Sequence, residues 1–114
     1  MKPIAYAFPV LPGKTERTKQ FMESLRTKRV KEFAAWERKT KTTKEAIFLF
    51  PSPQGDMLID YFECTDPKKS MEAVAKAKDK FAIWIKGQFK DLTGLDMNVV
   101  SEEALPETLM LFGY

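Results

Sequence analysis

The sequence predicts an α+β domain with the ferredoxin-like split order βαββαβ, an antiparallel sheet and helices on one face. Four short runs, at 4–10, 46–50, 57–64 and 108–112, are rich in aromatic and branched residues in the manner of strands. Two longer stretches, 14–40 and 66–94, carry apolar residues at spacings of three and four. A Pro- and Gly-bearing turn at 51–56 joins the two central strands directly, giving a hairpin flanked by helical crossovers.

In the first strand, Ile4, Tyr6, Phe8 and Val10 share one face, with Ala5, Ala7 and Pro9 on the other. Pro9 has no N–H to donate, so the strand end should leave the ladder. Leu11-Pro12-Gly13 turns the chain into a helix with Thr15 as its cap and Met22, Leu25, Arg29, Phe33 and Trp36 along its stripe. No Gly or Pro interrupts it, so one long helix is expected. It should end in the stretch 39–43, where helix propensity falls. The hairpin follows. Asp66 then caps a helix that has Pro67 at its first position and Met71, Val74 and Ala75 inside. Asp79 reads as a fresh cap, Phe81, Trp84, Ile85, Phe89 and Leu92 continue the stripe, and Gly94 closes it. A polar connection at 101–107 leads to the last strand at 108–112.

The chain has 114 residues, which corresponds to a single domain spanning 1–114. Nine Phe, three Tyr and two Trp supply bulky core material. No apolar run approaches the ~20 residues of a membrane span. The N-terminus alternates like a strand and reads as mature protein. Cys64 is the single cysteine, which excludes an internal disulfide and fits a reducing compartment, so a cytoplasmic location is expected. Between Lys14 and Lys44 the basic residues alternate with Glu16, Glu23, Glu32 and Glu37. That pattern is a solvated helix face, not a nucleic-acid surface.

Both faces of the central strands are apolar. Ala46, Phe48 and Phe50 lie on one face, Ile47 and Leu49 on the other. A sheet with one wet face would alternate apolar and polar residues. No further sequence remains to cover the second face, so a second copy is expected to do so, making a homodimer.

The chain contains no His. Ser-His and Cys-His nucleophile pairs are therefore excluded, as is a proximal-His haem. With one Cys besides, no metal site and no cofactor is expected. Gly13-Lys14-Thr15 stands between strand and helix, but the phosphate-loop motif needs a Gly five residues earlier and Phe8 is there. Asp60 interrupts an apolar strand face it shares with Leu58 and Phe62. A buried carboxyl there would have a raised pKa and could serve as a general base or ligand anchor; the alternative is an edge or interface position paired with Arg or Lys. Asp60, with Tyr6, Phe48 and Phe62 as walls, forms the candidate ligand-binding set. Tyr61 and Glu63 point to the opposite face. Met57, Ile59 and Tyr61 are expected to face the helices, and Leu58, Asp60 and Phe62 the cavity. Arg29 on the helix stripe reads as a snorkelling side chain, with anion binding as the alternative. Arg38 and Glu45 should form a local ion pair, and Trp36 and Trp84 should pack in the core or at a dimer contact.

The stretches FPVLPGKTE, KEAIFLFPSPQGDMLIDYFECTDP, KFAIWIKGQFKDLTGLD and LPETLML resemble the dimeric α/β-barrel superfamily. Within it they are similar to a small bacterial family of unassigned function. The Pro-x-Gly-Asp turn running into Tyr61-x-Glu63 and Asp66-Pro67 is the most specific part. The chain departs from that family's pattern at Lys41-Thr42 and at Gly113. The resemblance implies two ferredoxin-like subunits packed sheet against sheet around a barrel. The superfamily's members range from cofactor-free monooxygenases to stress-response proteins, so the fold does not fix the function. The expected function is binding of a small apolar or aromatic molecule in the barrel cavity. The alternative is a non-catalytic dimeric interaction or stress-response protein.

Overall fold

The structure, a computed structural model, describes residues 1–100 and 105–114. The elements run β1 (Lys2–Pro9), α1 (Thr15–Arg26), α2 (Val30–Lys39), β2 (Thr42–Phe50), β3 (Met57–Cys64), α3 (Pro67–Lys76) and α4 (Lys80–Thr93). The sheet order is β1-β3-β2, with both pairings antiparallel. Ile4 lies opposite Phe62, Tyr6 opposite Asp60 and Phe8 opposite Leu58 on one side of β3. Glu45 lies opposite Phe62, Ile47 opposite Asp60 and Leu49 opposite Leu58 on the other. Residues directly opposite share a face, and Phe8 and Ile47 of this set pack against the helical core. This inner face therefore meets the helices. The outer face carries Phe48 and Phe50, 57 % and 55 % exposed.

Three expectations need correction. The order is not βαββαβ, because among the described residues no fourth strand forms and 105–114 has no regular structure. Leu109 and Phe112 are 87 % and 90 % exposed. The segment passes beside Pro3, Ile4, Ala5 and Tyr61. The α+β class, the antiparallel sheet and the helices against one face all stand.

The helix expected over 14–40 is two helices, broken at Thr27–Arg29. Ser24 Oγ and Thr27 Oγ1 donate to the carbonyls of Phe21 and Glu23, competing with the helical ladder. The Arg29 N–H reaches back five residues to the Ser24 carbonyl, at 2.8 Å, so the turn widens and the axis resets. Thr15 is not the cap of α1. It is the first helical residue, and its hydroxyl donates to Asp56 Oδ2 at 2.7 Å, tying the helix to the hairpin turn.

The other stops and starts fall where the sequence places them. Asp66 accepts from the backbone N–H of Lys68 and Lys69, Asp79 accepts from Ala82, and Gly94 closes α4 at φ 80°. Only Gly takes that left-handed angle without steric cost.

Phe21, Leu25, Trp36, Phe81, Ile85, Phe89 and Leu92 form the buried cluster. Phe21 meets both Trp84 and Phe89 edge to face, with centroids 5.5 and 5.4 Å apart. Each fully buried side chain of this size contributes ~1.5–3 kcal/mol. The Arg29 guanidinium lies 3.9 Å from the Trp84 ring centroid, with its stem on the helix stripe. Cys64 is wholly buried core.

Lys86 is 3 % exposed. Its Nζ donates to the carbonyls of Val74, Ala75 and Ala77 at 2.9, 3.3 and 2.7 Å. It thus satisfies the C-terminal acceptors of α3, where a helix favours positive charge.

Candidate functional site

The inner face and the helices do not close completely. Between them lies a cavity of about 350 Å³. Its walls are Tyr6 and Phe8 of β1, Asp60 and Phe62 of β3, Thr42 and Glu45 of β2, Trp36, Glu37 and Thr40 of α2, and Ser70, Met71 and Val74 of α3. Phe89 and the segment Leu95–Val99 complete it. Leu95 and Val99 are exposed, which marks where the cavity meets solvent.

Local structure explains who faces in. Thr42 and Glu45 both line the cavity although an odd number of positions separates them, which strict alternation forbids. A β-bulge between Thr42 and Lys44 removes the conflict. Thr42 lies opposite Cys64, Lys44 lies opposite Glu63, and Thr43 is the extra residue, its hydroxyl donating to the Glu63 carbonyl at 3.1 Å. On α2, Phe33, Trp36, Glu37 and Thr40 recur at helical spacing, so Glu37 rides on the buried stripe.

Three carboxyl groups meet in this pocket. Asp60 and Glu45 lie within hydrogen-bonding reach of each other, as do Glu45 and Glu37. Such contacts form only when one partner carries a proton. Burial is the first cause of the upward shift in all three. Glu37 is pushed to about 7, Glu45 to about 8 and Asp60 to about 10. The charge of Glu45 adds to this for Asp60, that of Glu37 for Glu45 and that of Asp60 for Glu37, while the contact with Asp60 pulls Glu45 back down. Asp60 Oδ1 is fully shielded from water and has no partner outside this carboxyl contact. The Ser70 hydroxyl is likewise buried without a partner.

Tyr6 stacks on Phe62 with centroids 6.1 Å apart, and its hydroxyl donates to Met71 Sδ at 3.2 Å. Burial raises its pKa as well.

Of the sequence candidates, the structure brings Asp60, Tyr6 and Phe62 together and leaves Phe48 out. Phe48 points from the outer face into solvent and is not a wall of this cavity. The cavity itself lies inside the chain, between sheet and helices. It is Leu58, Asp60 and Phe62 that face the helices, not Met57, Ile59 and Tyr61. Glu45 does not pair with Arg38, which is exposed; it turns inward to Asp60. Glu45, Glu37 and Ser70 are the site residues missed by the sequence reading. The i,i+3,i+4,i+7 pattern of Phe33, Trp36, Glu37 and Thr40 was the available signal for Glu37.

No family model, curated protein or solved structure matches this chain.

What the site can do follows from its residues. A protonated carboxyl can donate to a carbonyl or act as a general acid, and an ionised one can accept a proton or hold a cation. Among the described residues, no group of three or more His, Cys, Asp or Glu is placed to hold a metal ion. None of the described helices is long and apolar enough to cross a membrane.

Proposed function

We propose that this protein binds a small molecule with an apolar or aromatic body in the cavity between its sheet and its helices. One observation carries the reading: a cavity of about 350 Å³, walled by Tyr6, Phe8, Phe62, Met71 and Val74, converges on a few buried polar groups. Ligand sites have this make-up, apolar walls for affinity and a small number of placed polar groups for orientation. The size suits an occupant of one or two rings. Asp60, Tyr6 and Phe62 are its contact residues.

The test is a thermal-shift screen of small aromatic and alicyclic compounds, repeated on Val74→Trp, which fills the cavity. Compounds that raise the melting temperature of the parent protein should lose that effect in the variant. A screen with no stabilising compound, or shifts unchanged by Val74→Trp, would overturn the reading.

A second copy of the chain is the proposed cover of the outer face. Phe48 and Phe50 are more than half exposed there, on strands already apolar on the inner side. The resemblance to sheet-to-sheet dimers supports the same arrangement. A dimer whose cavities stay empty would favour the non-catalytic interaction role instead.

A further inference from the structure

The ionisable groups on the cavity wall are all of one kind. Tyr6 comes from β1, Glu37 from α2, Glu45 from β2, Asp60 from β3 and Asp96 from the segment after α4, while α3 contributes none. Cys64 lies near Tyr6. No Lys or Arg is among the described lining residues, and the chain has no His. Buried carboxyls are ordinarily matched by a cation or neutralised by a proton. Asp96, at the mouth, lies near Lys86 and Lys90, but no cation is among the described lining residues to match Glu37, Glu45 and Asp60.

Two further observations point to an absent partner. Asp60 Oδ1 is shielded from water and, apart from its carboxyl neighbour, has nothing to bond. Ser70, 3 % exposed and on the same wall, has a hydroxyl with no partner at all. Native proteins seldom leave such groups unsatisfied. The carboxyls are not arranged as a metal-binding group. An organic ammonium fits better, because it offers several donors on one small charged centre and can carry an apolar body.

We propose that the ligand of this cavity is a cationic amine whose ammonium group sits between Asp60 and Glu45, with an aromatic or aliphatic body against Phe62 and Met71. This rests on the ligand-binding reading above and narrows it to one chemical class. In the empty cavity at neutral pH, Asp60 and Glu45 are held protonated. As the ammonium enters, the carboxyl that ionises against it releases its proton to solvent, and the other keeps its proton and donates to its neighbour. Binding is therefore linked to proton release. Affinity rises with pH through the neutral range until the amine itself loses its proton. An anionic ligand of the same shape is excluded by the same charges.

The experiment compares phenethylamine, 2-phenylethanol and 3-phenylpropionate by isothermal titration calorimetry at neutral pH, in phosphate and in Tris. The three share a body and differ in charge. Phenethylamine should bind at least about tenfold more tightly than the alcohol, as one charge-assisted hydrogen bond allows. Its apparent enthalpy should differ between the two buffers because a proton is released. The propionate should bind weakest. Glu45→Gln and Asp60→Asn keep the shape of the wall, and each should erase the preference for the amine over the alcohol. Equal or tighter binding of the alcohol or the propionate overturns the amine assignment and leaves the cavity reading standing. So does amine binding that is indifferent to buffer and to both substitutions. Failure of all three to bind overturns both.

Discussion

Asp60 and Glu45 reach one another diagonally across two strands: Asp60 is paired with Ile47 and Glu45 with Phe62, yet their carboxyl groups come within hydrogen-bonding reach. Burial raises both, and Glu45 raises Asp60 further, so the folded protein holds a proton on Asp60 that the unfolded chain gives up.

The pH dependence follows. Asp60 and Glu45 are raised above their unfolded values, so the folded state binds more protons across the interval between. Their contribution to stability is complete below about pH 4 and declines as pH rises toward 8–10. Asp60→Asn removes the ionisable group and keeps the shape. It should stabilise the protein by about 2 kcal/mol at pH 8 and change little at pH 4.5, read from urea unfolding at both. Equal effects at the two pH values would show that Asp60 is not held protonated.

Lys86 offers the opposite test of a buried charge. Lys86→Met fills similar space but strands the three carbonyls it serves. The expected loss is ~2–4 kcal/mol, since unsatisfied buried acceptors cost more than the bond itself is worth. Amide exchange should accelerate at the C-terminal end of α3 before the rest of the molecule. A loss below half a kcal/mol, as for an exposed Lys, would remove Lys86 from this role.

At Arg29 the ring contact should outweigh the ion pair. Arg29→Ala should cost ~1 kcal/mol through the Trp84 face. Glu32→Ala breaks an exposed 3.4 Å contact and should cost almost nothing. High salt should leave the Arg29 effect in place. Comparable losses at the two positions, both abolished by salt, would reverse this ranking.

The outer face gives a prediction about assembly. Light scattering at micromolar concentration should report a dimer, and Phe48→Glu should yield a monomer with an unchanged far-UV spectrum. A parent protein that is already monomeric would leave the outer face without a partner.

Much of this molecule is legible in its sequence where one residue acts through its own backbone. Asp66 with Pro67, Asp79 and Gly94 mark helix ends by local hydrogen bonds and allowed angles, and each stands where it was expected. The hairpin was legible for the same reason. The break at Thr27–Arg29 was not, because Ser24 and Thr27 compete with the helix only once tertiary packing favours a bend. At the site, alternation identified Asp60, Tyr6 and Phe62 as sharing a face but gave no sign of which side the helices would take. Glu45 was hidden because a charged residue near Arg38 reads locally as an ion pair, whereas its actual company is on another strand.

The bulge at Thr43 has a consequence for how the gene can change length. β2 has nine residues and β3 has eight, and Thr43 is the surplus. Losing that codon would leave Thr42 opposite Cys64 and Lys44 opposite Glu63, so the deletion would be close to silent. Losing Ala46 instead, with the hairpin holding its register, would slide the upstream half of the strand by one place. Lys44 would then arrive opposite Phe62 where Glu45 now stands. Three positions apart, one deletion preserves the cavity and the other sets a lysine against Asp60 where a carboxyl now stands.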